Sequence, residues 1–225
     1  MSAQVVLGPP IDTLLDRLYA RHEAQNDAMA SYFAQRAAEG SLAWNRFDER
    51  TNEFLKDKLV ALERPKAEFC YQVCRAIGAR RVVEAGTSFG VSTLFLAAAV
   101  RDNGGGVVIA TEHESDKAAI ARRHFEEAGL SALIDLRQGD LRQTLEDVVG
   151  PIDFMLVDIW TPMARPALGR IAPRLRRGAV VVCDNTRQFR DEYGDYFEFI
   201  QDPRNGFCTM TLPFDGGLEF TVRVK

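Results

Sequence analysis

Hydrophobic positions change their spacing twice along this chain. Over residues 11 to 39 they recur every three or four positions, with Leu14, Leu15, Leu18, Tyr19, Met29, Tyr32 and Phe33 on one stripe, which predicts a helix ending near Gly40. A second helix is predicted from Arg46 to Leu62, and a third from Pro65, a favoured first-turn residue, to Ile77 ahead of Gly78. Beyond Arg81 the pattern becomes short apolar runs rich in β-branched residues, each followed by a helical stretch. The runs are Arg81 to Ala85, Val107 to Thr111, Ile134 to Arg137, Ile152 to Val157 and Val180 to Cys183. The helices between them are predicted at Val91 to Ala99, Ser115 to Ala128, Leu141 to Val148 and Pro166 to Leu175. After a helix from Glu192 to Gln201, the runs Phe207 to Leu212 and Leu218 to Val224 flank a connection containing Gly216 and Gly217, which predicts an antiparallel hairpin.

Strands alternating with helices call for a parallel, doubly wound sheet with right-handed crossovers. The expected fold is α/β and Rossmann-like: a mostly parallel seven-stranded sheet with an antiparallel last strand. Residues 1–64 are expected as an N-terminal helical extension and residues 65–225 as the domain proper. In such sheets ligands bind outside the carboxyl ends of the strands. Glu112, Asp140, Asp158, Asp184 and Asn185 all fall there. Any one of them serves equally as a cap or turn former; five along one edge mark a site.

The glycine turn after the first strand narrows the ligand. In Val83-Glu84-Ala85-Gly86-Thr87-Ser88-Phe89-Gly90-Val91-Ser92-Thr93 the backbone at Gly86 is open to close approach, and the next helix aims its free N–H groups at whatever sits there. A dinucleotide fingerprint wants a further glycine where Ser88 stands. S-adenosylmethionine (SAM) has no pyrophosphate, and the carboxylate of its amino-acid tail suits a helix N-terminus bearing Ser92 and Thr93. The turn favours SAM over NAD.

Composition narrows the classes further. The 225 residues are 46% hydrophobic, ample for a packed core, and the net charge of -4 lacks the basic excess of a nucleic-acid surface. No apolar run approaches the roughly 20 residues needed to span a bilayer, and the first residues lack the features of a signal peptide, so no membrane partner and a cytoplasmic location are expected. Cys70, Cys74, Cys183 and Cys208 form no C-x-x-C pair and are expected to be buried small hydrophobes. His22, His113 and His124 have no metal-ligand spacing. Tyr193, Tyr196, Phe197 and Phe199 either cover a substrate or pack, with packing the usual use of such a stripe.

The glycine turn, Thr111-Glu112, Gly139-Asp140, the run Asp153 to Asp158, Asp184-Asn185 and the ending Leu212 to Leu218 together resemble a class I SAM-dependent methyltransferase. More narrowly, they resemble the cation-dependent O-methyltransferases of the catechol and caffeoyl-coenzyme A type. The resemblance implies that Glu84, Gly86 and Ser92 seat the methionine part of SAM, with Ser88 and Gly90 also in the cofactor-binding turn. It implies further that Glu112 binds the ribose hydroxyls, that His113 lies against the adenine, that Asp140 accepts from its amino group, and that Asp158 borders the cofactor. It also assigns one divalent cation, Mg²⁺ or another such as Ca²⁺ or Mn²⁺, to Asp158, Asp184 and Asn185, with Asp158 the catalytic ligand. An all-oxygen set of this kind is what a hard ion prefers.

One position departs from the family. Where the catechol enzymes carry a general-base lysine three residues after the first metal Asp, this chain has Thr161, and threonine does not take a proton near neutral pH. The implied activity is SAM- and cation-dependent O-methylation of a small hydroxylated, aromatic molecule, in a homodimer. The alternative is a SAM-binding regulatory protein without metal-dependent turnover, to which Thr161 lends weight. A nicotinamide dehydrogenase on the same fold is disfavoured by Ser88.

Overall fold

The computed structural model describes residues 5–41 and 48–225. Its central strand β1 (Arg81–Ala85) pairs in parallel with β2 (Val107–Glu112) on one side and with β4 (Ile152–Val157) on the other. Outward from these lie β3 (Ile134–Gln138), parallel to β2, and β5 (Leu175–Asp184), parallel to β4. β7 (Leu218–Arg223) pairs antiparallel with β5 and with the edge strand β6 (Phe207–Leu212), giving the order β3-β2-β1-β4-β5-β7-β6. The expected sheet is therefore present, with its reversed strand one place in from the edge.

Alternation along the strands decides which helices cover which face. Val82, Val108, Phe154, Leu156, Val180 and Val182 belong to one buried cluster, Val83, Ile109, Met155, Val157, Val181 and Cys183 to the other. Both faces are apolar because both are covered, which is why the runs read as nearly continuous hydrophobic stretches. The first cluster is completed by α1 (Pro9–Glu23), α4 (Arg64–Ala76), α5 (Val91–Asp102) and α6 (Ser115–Glu127). The second is completed by α7 (Leu141–Thr144), α8 (Thr161–Ile171) and α9 (Gly194–Gln201). Among the described residues no helix is long and apolar enough to cross a membrane.

Several boundaries differ from the sequence reading. The long first helix is two, α1 and α2 (Asn26–Ala38), because Gln25 leaves the helical stripe to clamp the backbone of Leu59: its amide donates to Leu59 O at 3.0 Å and accepts from Leu59 N at 3.2 Å. The start of the second expected helix, at Arg46, lies outside the described residues; what is described is α3 (Glu49–Leu55), and the chain from Lys58 to Glu63 is extended rather than helical. α7 stops at Thr144, whose carbonyl is taken at 2.7 Å by Arg137. α8 begins five residues earlier than expected: Pro162 fills the first turn, and Pro166 sits inside, costing only the bond to the Pro162 carbonyl. Three thiols are buried as expected, but Cys208 is exposed on β6, an edge strand with one face open to solvent.

Candidate functional site

The site grows from the place where the carboxyl ends of β1 and β4 meet. Asp158 N donates to Ala85 O at 3.0 Å, and Gly86 turns there with φ +95°. A Cβ at Gly86 would fall inside the Asp158 carbonyl oxygen, so only glycine lets the two strand ends lie this close. Ser88, at φ 50°, then folds its N–H toward Glu112, whose Oε2 accepts it at 2.7 Å while Oε1 accepts Glu114 N at 2.8 Å. The carboxylate after β2 is thus locked against the turn after β1. Burial raises the Glu112 pKa, and the two amides with Lys117 pull it back.

Glu84 stands behind this turn. Its side chain is fully buried; Oε2 accepts from Thr87 Oγ1 at 2.9 Å and from Thr93, and Oε1 has no hydrogen-bond partner among the described residues. Burial pushes its pKa up to about 7, against the pull of the Thr93, Ser92 and Thr87 hydroxyls. A buried acceptor held beneath a helix N-terminus fits the ammonium of an amino-acid tail.

These elements wall a cavity of about 540 Å³, the size of a small-molecule site. Gly86, Ser88, Ser92, Glu112, His113, Asp140, Asp158, Thr161 and Asn185 all line it. Of the expected site residues, Glu84, Gly90 and Asp184 do not: they sit behind the wall. Gly90 is needed for packing, since its φ of 90° and the ring of Phe125 leave no room for a side chain. Asp140 caps α7 by accepting from Arg142 N at 2.9 Å, and the Arg142 guanidinium holds its carboxyl below the usual range. The lining also has an apolar part, with Leu55, Val60, Trp160, Met163, Phe189 and Tyr193. The aromatics of α9 pack, as expected: Tyr196 and Phe197 are buried, and Tyr193, just before the helix, packs and reaches the cavity as well.

The acids after β4 and β5 form a tight group. Asp158 lines the cavity and is partly shielded from solvent; desolvation, and then the charge of Asp184, drive its pKa well above the usual carboxylate range. Asp184 is raised too, burial outweighing the opposing pull of Lys66. Asn185, at φ 58°, donates from Nδ2 to Asp184 Oδ2 at 2.9 Å. Among the described residues no three His, Cys, Asp or Glu side chains converge as a metal-holding set. Two carboxylates that repel each other, with an adjacent amide, nonetheless fit a hard divalent ion, whose charge would relieve both.

Sequence reasoning missed Lys66. Its side chain is only 1% exposed, and Nζ lies 2.7 Å from Asp184 Oδ1 and 3.5 Å from Glu63 Oε2. A signal was there: Lys66, Cys70 and Cys74 are spaced i, i+4, i+8, which puts a lysine on the buried stripe of α4.

A family model described as a methyltransferase domain matches residues 83–186, from the middle of β1 to just past Asn185. Residues 83–186 are thus similar to a methyltransferase domain. They contain every cavity-lining residue named above except Leu55, Val60, Phe189 and Tyr193. The chain is 34% identical over 128 residues to a catechol O-methyltransferase of Mycobacterium tuberculosis, covering 56% of this chain and 57% of that one. It is 30% identical over 118 residues to a catechol O-methyltransferase of Niastella koreensis, covering 51% of each. The chain thus spans little more than half the length of these relatives. Among solved structures, an O-methyltransferase from Streptomyces achromogenes in complex with SAM shares the fold around this domain, with a TM-score of 0.69 at 22% identity over 80% of this chain and 92% of that one.

Proposed function

We propose that this chain is a SAM- and divalent-cation-dependent O-methyltransferase whose acceptor is a small hydroxylated aromatic molecule. The observation that carries the reading is a single cavity with two unlike ends. One end is the glycine turn with Glu112, His113 and Asp140; the other is Asp158 and Asn185 beside an apolar wall containing Trp160, Phe189 and Tyr193. The catechol O-methyltransferases to which the chain is similar support the acceptor class.

In this reading Glu112, already fixed by two backbone amides, accepts from the ribose hydroxyls with its remaining lone pairs. Gly86 admits the methionine part, and Ser92 at the start of α5 receives its carboxylate, with Glu84 beneath for the ammonium. His113 flanks the adenine, and Asp140 accepts from its amino group. Bound SAM supplies a methyl group already activated by its sulfonium. Asp158, Asp184 and Asn185 would hold the cation, which supplies the charge that lowers the pKa of the acceptor hydroxyl. The apolar wall excludes water and orients the acceptor ring, so that positioning does most of the remaining work. Thr161 lines the cavity but takes no proton, so ionisation of the acceptor rests on local charge rather than on a side-chain base. The same reading carries a homodimer and a cytoplasmic location, the first open to sedimentation.

The test is a methyl-transfer assay with SAM over a panel of mono- and dihydroxylated phenols, beside SAM calorimetry. Methylated vicinal diols support the proposal. Tight SAM binding with no transfer to any acceptor, with or without Mg²⁺, would instead support a regulatory SAM-binding protein.

A further inference from the structure

Lys66 stands where two acids meet, and it comes from α4, outside the matched methyltransferase domain. Its charge faces Asp184 at 2.7 Å, with Glu63, about half exposed, at 3.5 Å. Asp158 lies close enough to feel the charges of Asp184 and Lys66. Fully ionised, Asp158 and Asp184 would carry two negative charges against the one positive charge of Lys66. A buried pair of like charges without a counter-ion is among the more costly arrangements a fold can hold. The chain thus brings its own cation to the place where a divalent ion is expected.

We propose that Lys66 is a built-in counter-cation of the Asp158 and Asp184 pair that competes with the divalent cation for Asp184, so that it sets the cation affinity of the site and holds the site together when no cation is bound. This rests on the cation reading given above. The pairing is electrostatic and specific in geometry: Asp184 Oδ2 already accepts from Asn185, so Oδ1 is the oxygen for which Lys66 and a metal ion contend. A divalent ion that takes Oδ1 has to displace the ammonium or share the carboxylate with it, and either weakens its binding. The role is one of positioning, since Lys66 acts through Asp184.

The test titrates Mn²⁺ and Mg²⁺ calorimetrically into the full chain, as wild type, Lys66→Arg and Lys66→Met, and follows thermal unfolding with and without the ion. Lys66→Arg should bind within about threefold of wild type, because the charge is kept. Lys66→Met should bind at least about tenfold tighter, and its melting temperature should fall without cation and recover with it. Equal or weaker cation binding by a folded Lys66→Met overturns the proposal. If Lys66→Met does not fold without cation, folding on addition of Mn²⁺ supports it. If it folds under neither condition, Lys66→Met/Asp184→Asn decides: recovery of a folded protein assigns the defect to unbalanced charge and supports the proposal, while continued failure makes Lys66 a packing residue and overturns it. Methyl transfer in EDTA keeps the two claims apart. Transfer that survives EDTA removes the cation reading and this proposal with it; transfer lost in EDTA, with unchanged affinity in Lys66→Met, removes this proposal alone.

Discussion

The amide of Ser88 donates to Glu112 Oε2 at 2.7 Å, tying the turn after β1 to the carboxyl end of β2. On the proposed function Glu112 would have two tasks, shaping the turn and gripping the ribose. Glu112→Ala should weaken SAM by about 1.5–3 kcal/mol, the range for a hydrogen bond to a charged group, with the protein still folded. Calorimetry with SAM checks it, and unchanged affinity in a folded variant removes Glu112 from the site.

Glu84 makes the stability of the ligand-free protein depend on pH. Its carboxyl titrates near 7 when folded and near 4.5 as the ordinary value, so between these the folded state holds the extra proton. Stability is thus greatest below about pH 4.5 as far as this group is concerned, and is lost as pH rises to about 7, by about 3 kcal/mol. Glu84→Gln should flatten that part of the slope in urea unfolding between pH 5 and pH 8. A variant with the parental slope would show that Glu84 is not the group responsible.

Removal of the cation should separate chemistry from cofactor binding. With EDTA, methyl transfer should cease while SAM affinity changes by no more than about twofold, because Glu112, Ser92 and the glycine turn carry that affinity. Asp158→Asn should lower kcat by on the order of 10²-fold at saturating SAM, the usual scale for losing one charge-stabilising group. Full activity in EDTA, or in an Asp158→Asn/Asp184→Asn variant, would falsify the cation-dependent mechanism.

Gly86→Ala tests the junction of β1 and β4. The φ of +95° alone costs about 1–3 kcal/mol for a residue with a side chain, and the clash with the Asp158 carbonyl adds an overpacking term of similar size. The urea midpoint should fall accordingly and SAM binding be lost. A variant as stable as the parent would mean that the strand ends lie further apart.

Much of this was legible in the sequence because it is written in local patterns. Short, nearly continuous apolar runs between helical stretches pointed to the sheet, and the glycine turn with Glu112, Asp158 and Asn185 pointed to the cavity lining. What escaped depended on contacts distant along the chain. Gln25 breaks the first helix only because Leu59 comes back to meet it, 34 residues away. Lys66 is a site residue only because α4 packs over the end of β5, and its place on the buried stripe of its helix was the one local hint. Glu84 and Gly90 do not line the cavity but stand one layer of side chains behind the turn, a difference that spacing does not encode.

The strand order divides the chain in a way that bears on its evolution. From β1 the chain runs outward to β2 and β3, then crosses back to β4 and β5, so on the proposed function the donor end of the cavity would be built from residues 86 to 142 and most of the acceptor end from residues 158 to 193. Substitutions in the later stretch can remodel which acceptor is taken without disturbing the grip on the methyl donor. On the proposed function, a duplicated copy of this gene could therefore change substrate by drift in that one contiguous stretch, keeping its reagent throughout.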